Sequence, residues 1–320
     1  MNGVAALLTV LQSGSMKRTI MLKMWNKYKS QWPLYLMLLI PAIFVFIFSY
    51  IPMAGVILAF QNFNPAKGMM HSEFVGLKWF STVMRMPDFG SIISNTIIIS
   101  IGKIILLQIF SIVFAILLNE VANKYFMGIT QTITYFPHFL SWVIIGGIFV
   151  DILSMKGILN QVISFLGFNK IFFLGDNKWF QPTVIVMEVW KEFGWGAILY
   201  LAAITTINGE LYESAIVDGA NRLQQAIHIT IPGMMSTIIL LAALSLGGVL
   251  NAGFEQILVL YNPIVYRTGD ILDTFVYRQG LLGGQYSLAT AIGLFKSVIG
   301  MLLIIISNRL IIRYANYRVF

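Results

Sequence analysis

Cysteine is missing from all 320 positions, which excludes disulfide bridges and thiolate metal sites. Charge is scarce too: Asp, Glu, Lys and Arg make up 11% of the chain against 58% apolar residues, and the mean hydropathy is +0.81. So little polar surface excludes a water-soluble fold, and lipid is the expected solvent. No G-x-x-x-x-G-K-[ST] loop is present to cradle nucleotide phosphates, so the chain is not itself expected to hydrolyse ATP. The three histidines, His71, His138 and His228, are too scattered for a metal cluster or proton relay and read as structural. Paired carboxylates in an aqueous loop are also lacking, which argues against an enzyme. The net charge of +8 reads as basic loops on the cytoplasmic face, not as a surface for nucleic acid.

What is abundant is apolar sequence in long runs. A hydrocarbon layer of about 30 Å takes about 20 helical residues, and runs of that length predict six spans at about 34–60, 91–118, 128–153, 182–207, 234–261 and 285–312. The whole reads as an all-α integral membrane bundle over 34–312. Ahead of it lies an N-terminal tail, 1–33, with Lys17, Arg18, Lys23, Lys27 and Lys29 and no acid, expected in the cytoplasm. The stretch Val4 to Val10 lacks the basic region and cleavage site of a signal peptide, and Met16 offers an alternative start. An even number of spans places the C-terminal tail, 313–320, on the cytoplasmic side as well. Pro41 and Pro52 are expected kinks in the first span, and Trp79, Trp142 and Trp179 suit an interfacial belt.

The fourth span is internally inconsistent with a lipid environment. Glu188, Lys191 and Glu192 cost about 3 kcal/mol each, roughly 9 in all, and the strongest apolar residues of that span return only about 4 to 5. At 100° per residue, Glu188, Lys191, Glu192 and Trp195 fall within an arc of about 100°, so that stripe is expected to line a wet interior. Asn251 and Glu255 share a face of the fifth span with Gly248, and Lys296 is a weaker candidate on the sixth. Carboxylates and amides bind hydroxyls while aromatic planes receive apolar ring faces, so the set suits a sugar. The competing reading pairs Glu188 and Lys191 with each other or with a neighbouring subunit, purely to hold helices together.

Between the fourth and fifth spans, residues 208–232 form neither a span nor a turn. Asn208 is a suitable N-cap, Glu210 and Glu213 suit the positive end of a helix, and Gly219 permits a reversal. An amphipathic surface connector, with Leu211, Ala215 and Ile216 as its apolar side, accounts for much of this. The residues Glu213-Ser-Ala-x-x-Asp218-Gly219-Ala220, followed by Ile229 and Ile231-Pro232, nevertheless resemble the EAA loop of binding-protein-dependent ABC importer permeases. Ser214 departs from the usual second alanine. Gly76-Leu-Lys-Trp-Phe80, Phe193-Gly-Trp-Gly196, Tyr261-Asn-Pro263, Thr274 to Gly280 and Ala291 to Phe295 are similar to the sugar-permease branch of that family, of the LplB-like, maltose-type kind.

The resemblance implies a type I importer permease fold whose coupling helix, through Glu213, Ala215, Asp218 and Gly219, docks on a cytoplasmic ATPase. It implies a second, non-identical permease, two ATPase subunits that hold the ATP and magnesium, and an extracellular or periplasmic sugar-binding protein. It implies no cofactor or metal in this chain, and a bacterial plasma-membrane location with oligosaccharide as cargo. The alternative is an ion-coupled secondary transporter in which Glu188, Lys191 and Glu192 carry protons; it leaves the 208–232 pattern unexplained.

Overall fold

The computed structural model describes residues 14–315, which are mostly helical. Residues 1–13 and 316–320, which include Val4 to Val10 and the end of the C-terminal tail, lie outside the described residues. The chain divides into two compact units, residues 1–57 and 58–320. In the first, helix α1 (Gly14–Val45) runs from the basic tail into the first apolar run without interruption, then continues through a π turn, Phe46–Tyr50, to Ile51–Met53. Pro52 causes that turn: it has no N–H to give the carbonyl four residues back, and the helix widens around the missing bond. Gln31–Phe60 is apolar and long enough to cross a membrane.

The second unit opens with a two-residue antiparallel pairing, Gln61–Asn62 with Glu73–Phe74, and a short helix α2 (Lys78–Met84). Trp79 donates its indole N–H to the Gln61 carbonyl at 2.9 Å, so it closes this loop. Helix α3 (Phe89–Asn119) and helix α7 (Phe180–Ile204) form the centre of the bundle. Their close approach follows from small residues: a Cβ at Gly102 would meet Ile185 at 2.6 Å, and one at Gly196 would meet Ser111 Oγ at 2.6 Å. Ile99, Phe180, Val184, Met187 and Ile257 fill the core beside this seam. By length and composition, α3, residues Trp142–Phe165 and the C-terminal helix are apolar and long enough to cross a membrane. Helix α7 has length enough but carries the three charges already noted.

Two of the intervals read as continuous spans are broken. Interval 128–153 contains α4 (Lys124–Tyr135), a 3-10 turn Phe136–Phe139 built on Pro137, an extended Leu140 and α5 (Trp142–Leu153), capped by Ser141. The short α6 (Ile158–Phe165) follows. Interval 234–261 contains α10 (Met235–Leu246), an irregular stretch through Gly247 and Gly248 to Gly253, and α11 (Phe254–Leu260). Gly253 has φ of +90°, which L side chains rarely adopt. Between α7 and α10 lie α8 (Gly209–Val217) and α9 (Arg222–Gly233), the latter bent 62° from α10. Helix α9 repeats the device of the first span, since Pro232 follows a π turn at Ala226–Thr230. After α11, α12 (Leu272–Val276) leads to the last helix, α13 (Tyr286–Ala315). Trp142 is not in an interfacial belt: it is buried in the core, with the Lys191 ammonium 5.8 Å from its ring centroid.

Candidate functional site

One cavity among the spans, about 590 Å³, is lined by Leu140, Ile148, Phe149, Phe173, Val186 and Trp190 among other apolar residues and offers a polar solute almost nothing to bind. A second, about 370 Å³, lies between α3, α7 and the broken fifth span, at the low end of the size range of small-molecule sites. Its polar lining includes Lys103, Gln108, Glu188, Tyr200, Ser245 and Asn251, with Ser100 and Ser111 behind them. The Ser100 hydroxyl is buried and makes no hydrogen bond among the described residues, an arrangement that buried polar groups rarely tolerate without a further partner.

The charge in this cavity is a pair. Lys103 Nζ lies 3.3 Å from Glu188 Oε2, donates to the Ala252 carbonyl at 2.7 Å and also donates to Gln256 Oε1. Gln256, fully buried, in turn donates to the Val184 carbonyl at 2.8 Å. Four elements therefore meet at one ammonium: α3, α7, the irregular stretch and α11. Glu188 retains 21% side-chain exposure and can still accept from a solute.

The rest of the predicted stripe separates from Glu188. Lys191 turns inward, donating to Glu192 Oε1 at 2.7 Å and to the His138 carbonyl at 2.9 Å. Glu192 Oε2 and His138 Nδ1 are 2.6 Å apart, and the His138 ring stacks flat on Trp195, centroids 4.4 Å apart. This cluster ties α7 to the break after α4, and Trp195 stays partly exposed beside Phe139. Asn251 lines the cavity with Glu188; Glu255 is exposed and outside its lining. Lys296 pairs with Asp273 at 2.6 Å and is not in that lining either. Sequence reasoning missed Lys103, Gln256 and the partnership of His138. A lysine midway along an apolar run was the available signal for the first, since such a charge must find a partner; the pairing of Gln256 had none.

In the loop after α11, Asp270 binds Arg278 and accepts from Thr274 Oγ1 at 2.8 Å, while Arg278 lies 4.3 Å above the Tyr266 ring. Burial pushes the Asp270 carboxyl above its ordinary range, against the Thr274 and Arg278 contacts that favour ionisation. Asn262 donates to the Leu174 carbonyl at 2.9 Å, so the loop is fastened at both ends.

At the other end of the bundle, Asn208 caps α8 by accepting from Glu210 N at 3.1 Å. The helix ends at Gly219, φ +78°, where Ala220 N reaches the Ala215 carbonyl at 2.8 Å and Gly219 N the Ile216 carbonyl at 3.0 Å. This double bond pattern satisfies the last carbonyls and requires the left-handed residue that glycine supplies. Asn221 and Gln224 form a capping box for α9, and Tyr212 OH meets Thr230 Oγ1 at 2.9 Å, fixing the hairpin of α8 and α9. Ala215, Asp218 and Gly219 line a hollow of about 350 Å³ with Gln224 and His228; Glu213 is exposed outside it. Leu211 and Ile216 are 52% and 60% exposed, so among the described residues these two positions on the expected apolar side of α8 are left open, while Ala215 is half-buried.

Residues 108–315 match the family model of the binding-protein-dependent transport system inner membrane component. The chain is 40% identical over 295 residues to the polygalacturonan/rhamnogalacturonan transport system permease protein YteP of Bacillus subtilis (strain 168), covering 92% of this chain and 90% of that protein. It is 41% identical over 281 residues to Protein LplB of the same organism, covering 88% of each. Among solved structures, a chain of a bacterial ABC transporter involved in the import of the acidic polysaccharide alginate superposes with a TM-score of 0.83 at 38% identity, over 91% of this chain and 99% of that one. A similar match is a chain of the alginate transporter in complex with an alginate pentasaccharide-bound periplasmic protein.

Proposed function

We propose, from the premise that the chain belongs to the family of binding-protein-dependent transport system inner membrane components, that it is the multi-pass permease subunit of an ATP-driven oligosaccharide importer. The observation that carries the reading to particular residues is the 370 Å³ cavity, where a partly exposed Glu188 carboxylate and the exposed Asn251 line a space among the spans. Hydrogen-bond donors and acceptors of this kind suit a sugar ring, whereas a cation would need several oxygens converging on it and meets the Lys103 ammonium in this lining. Asn251 completes the lining, and Trp195 offers a ring face further along α7. Of the charges that a proton carrier would use, Glu188 is paired with Lys103, and Lys191 and Glu192 with each other; the family placement supports an importer.

The hairpin of α8 and α9 is the coupling element in this reading. Glu213, Ala215, Asp218 and Gly219 face a separate ATPase, which holds the ATP and magnesium, and the exposed Leu211 and Ile216 are covered by it. A second, non-identical permease supplies the other half of the passage, and both termini lie in the cytoplasm. YteP and the alginate transporter are named for acidic polysaccharides, so short galacturonan and alginate fragments are the first cargo to try.

Uptake of a labelled panel of neutral and uronate oligosaccharides by the reconstituted complex tests the cargo. ATP-dependent accumulation of at least one member is expected, and uptake that ignores ATP depletion but collapses with an ionophore overturns the importer reading. Deleting Glu213 to Gly219 is expected to release the ATPase during purification; retention of the ATPase with coupled uptake overturns the docking role.

A further inference from the structure

We infer that Lys103 is a positioning residue of the passage, shaping it by holding the broken stretch of the fifth span, a role distinct from its neutralisation of Glu188. The inference rests on the cavity being part of the passage. An ammonium has three N–H donors and no acceptor. Two of the three go to the fifth span, at the Ala252 carbonyl and Gln256 Oε1, and the contact with Glu188 is the long one at 3.3 Å. The Ala252 carbonyl sits in the irregular stretch before α11, where no helical N–H returns to it, and in a lipid-immersed bundle such a group has little water to turn to.

Two further observations show that the stretch is built around the ammonium. Gln256 is fully buried, and its amide N–H is held by the Val184 carbonyl of α7, which aims Oε1 at Lys103. Gly253 adopts φ of +90°, and a Cβ there would come within 2.6 Å of Lys103 Nζ. Loss of the ammonium leaves the Ala252 carbonyl and Gln256 Oε1 unpaired at once, and frees the segment that turns Asn251 toward the cavity.

The absence of cysteine makes a direct test simple. Asn251→Cys, as the sole thiol of this chain in the otherwise cysteine-free assembled complex, reports on the stretch through its rate of alkylation by N-ethylmaleimide. Three backgrounds are compared. Lys103→Met with Glu188→Gln removes the ammonium without leaving the carboxylate unpaired; Gln256→Met leaves the ion pair intact; Glu188→Gln alone removes the counter-charge but keeps an acceptor oxygen beside the ammonium and both fifth-span contacts. A hydrogen bond to a charged group corresponds to roughly tenfold in a local opening equilibrium. The first two backgrounds are therefore expected to shift the alkylation rate roughly tenfold and to lower Vmax for uptake in the Asn251 parent, while Glu188→Gln alone keeps the parent alkylation rate.

Parent rates in both of the first two backgrounds overturn the inference. If one of the two fails to assemble, the other decides; if both fail while Glu188→Gln assembles, the contacts serve folding and the inference falls as well. Protection of Asn251→Cys by a saturating galacturonan or alginate fragment that the complex transports tests the passage itself. Its absence counts against the functional reading and leaves the alkylation comparison standing.

Discussion

Gly219 and Gly253 both occupy left-handed backbone, at φ of +78° and +90°, yet a side chain would meet different surroundings at each. Nothing lies within 4 Å of a Cβ at Gly219, so Gly219→Ala incurs only the backbone cost, about 1 to 2 kcal/mol. Reduced retention of the ATPase on purification is expected, with Gly219→Asn losing less, because asparagine tolerates this conformation better than alanine. At Gly253 the same substitution adds a clash with the Lys103 ammonium. Gly253→Ala is therefore expected to lower both thermal stability in detergent and uptake by more than Gly219→Ala does, and equal effects at the two sites would contradict the crowding seen here. These residues were legible to unequal degrees. Gly219 follows a capped helix and reads as a stop signal; Gly253 carries no such signal, because the ammonium that a side chain there would strike lies on α3, about 150 positions away in sequence.

Among the elements, α7 is the one on which the others are assembled. It meets α3 at Gly102 and Gly196, and α4 at Gly194, whose missing side chain leaves room for the Thr134 carbonyl. A Cβ at Gly194 would overlap that backbone, which cannot move aside as a side chain can. Gly194→Ala is expected to cost about 1 to 3 kcal/mol, read as a lower unfolding temperature of the purified complex. Gly55→Ala, with open space around it, is expected to stay close to the parent. Element boundaries were readable where a local cause exists. Proline accounts for the π turns before Pro52 and Pro232 and for the break at Pro137, and the caps Asn208, Ser141 and Asn221 are side chains of a type that prefers those positions. The break at Gly247 to Gly253 was not legible, since its glycines are as often packing contacts as hinges in apolar helices.

For the whole molecule, orientation is the property to test, and the lack of native cysteine again provides the means. Lys67→Cys, in the first loop after the opening span, and Ser214→Cys, in α8, are both at exposed positions. With the N-terminus in the cytoplasm, a membrane-impermeant maleimide is expected to label Lys67→Cys in intact cells and Ser214→Cys only after permeabilisation. The opposite pattern would invert the topology and remove α8 from reach of any cytoplasmic ATPase. Much apolar surface remains exposed on the spans, including Ile98, Ile105, Ile109, Val113 and Leu117 along α3. Lipid and partner subunits are expected to cover it, so the chain expressed without its partners is expected to accumulate to a lower level in the membrane, as measured by quantitative immunoblotting.

The sequence by itself determined the solvent, the helical class and the family. Each depends on composition or on residues near one another in the chain: apolar runs long enough for lipid, and a capped, glycine-ended segment at 208–232 with a characteristic spacing. The tertiary structure alone decided which charges meet. Glu188, Lys191 and Glu192 share one stripe of α7, yet Glu188 joins Lys103 and Gln256 at the cavity, and the other two join His138 at the break after α4. The physical reason is that a charge among apolar helices must find its counter-charge wherever folding brings one within about 3 Å. Helical periodicity assigns a residue to a face, but leaves open which helix will lie against it.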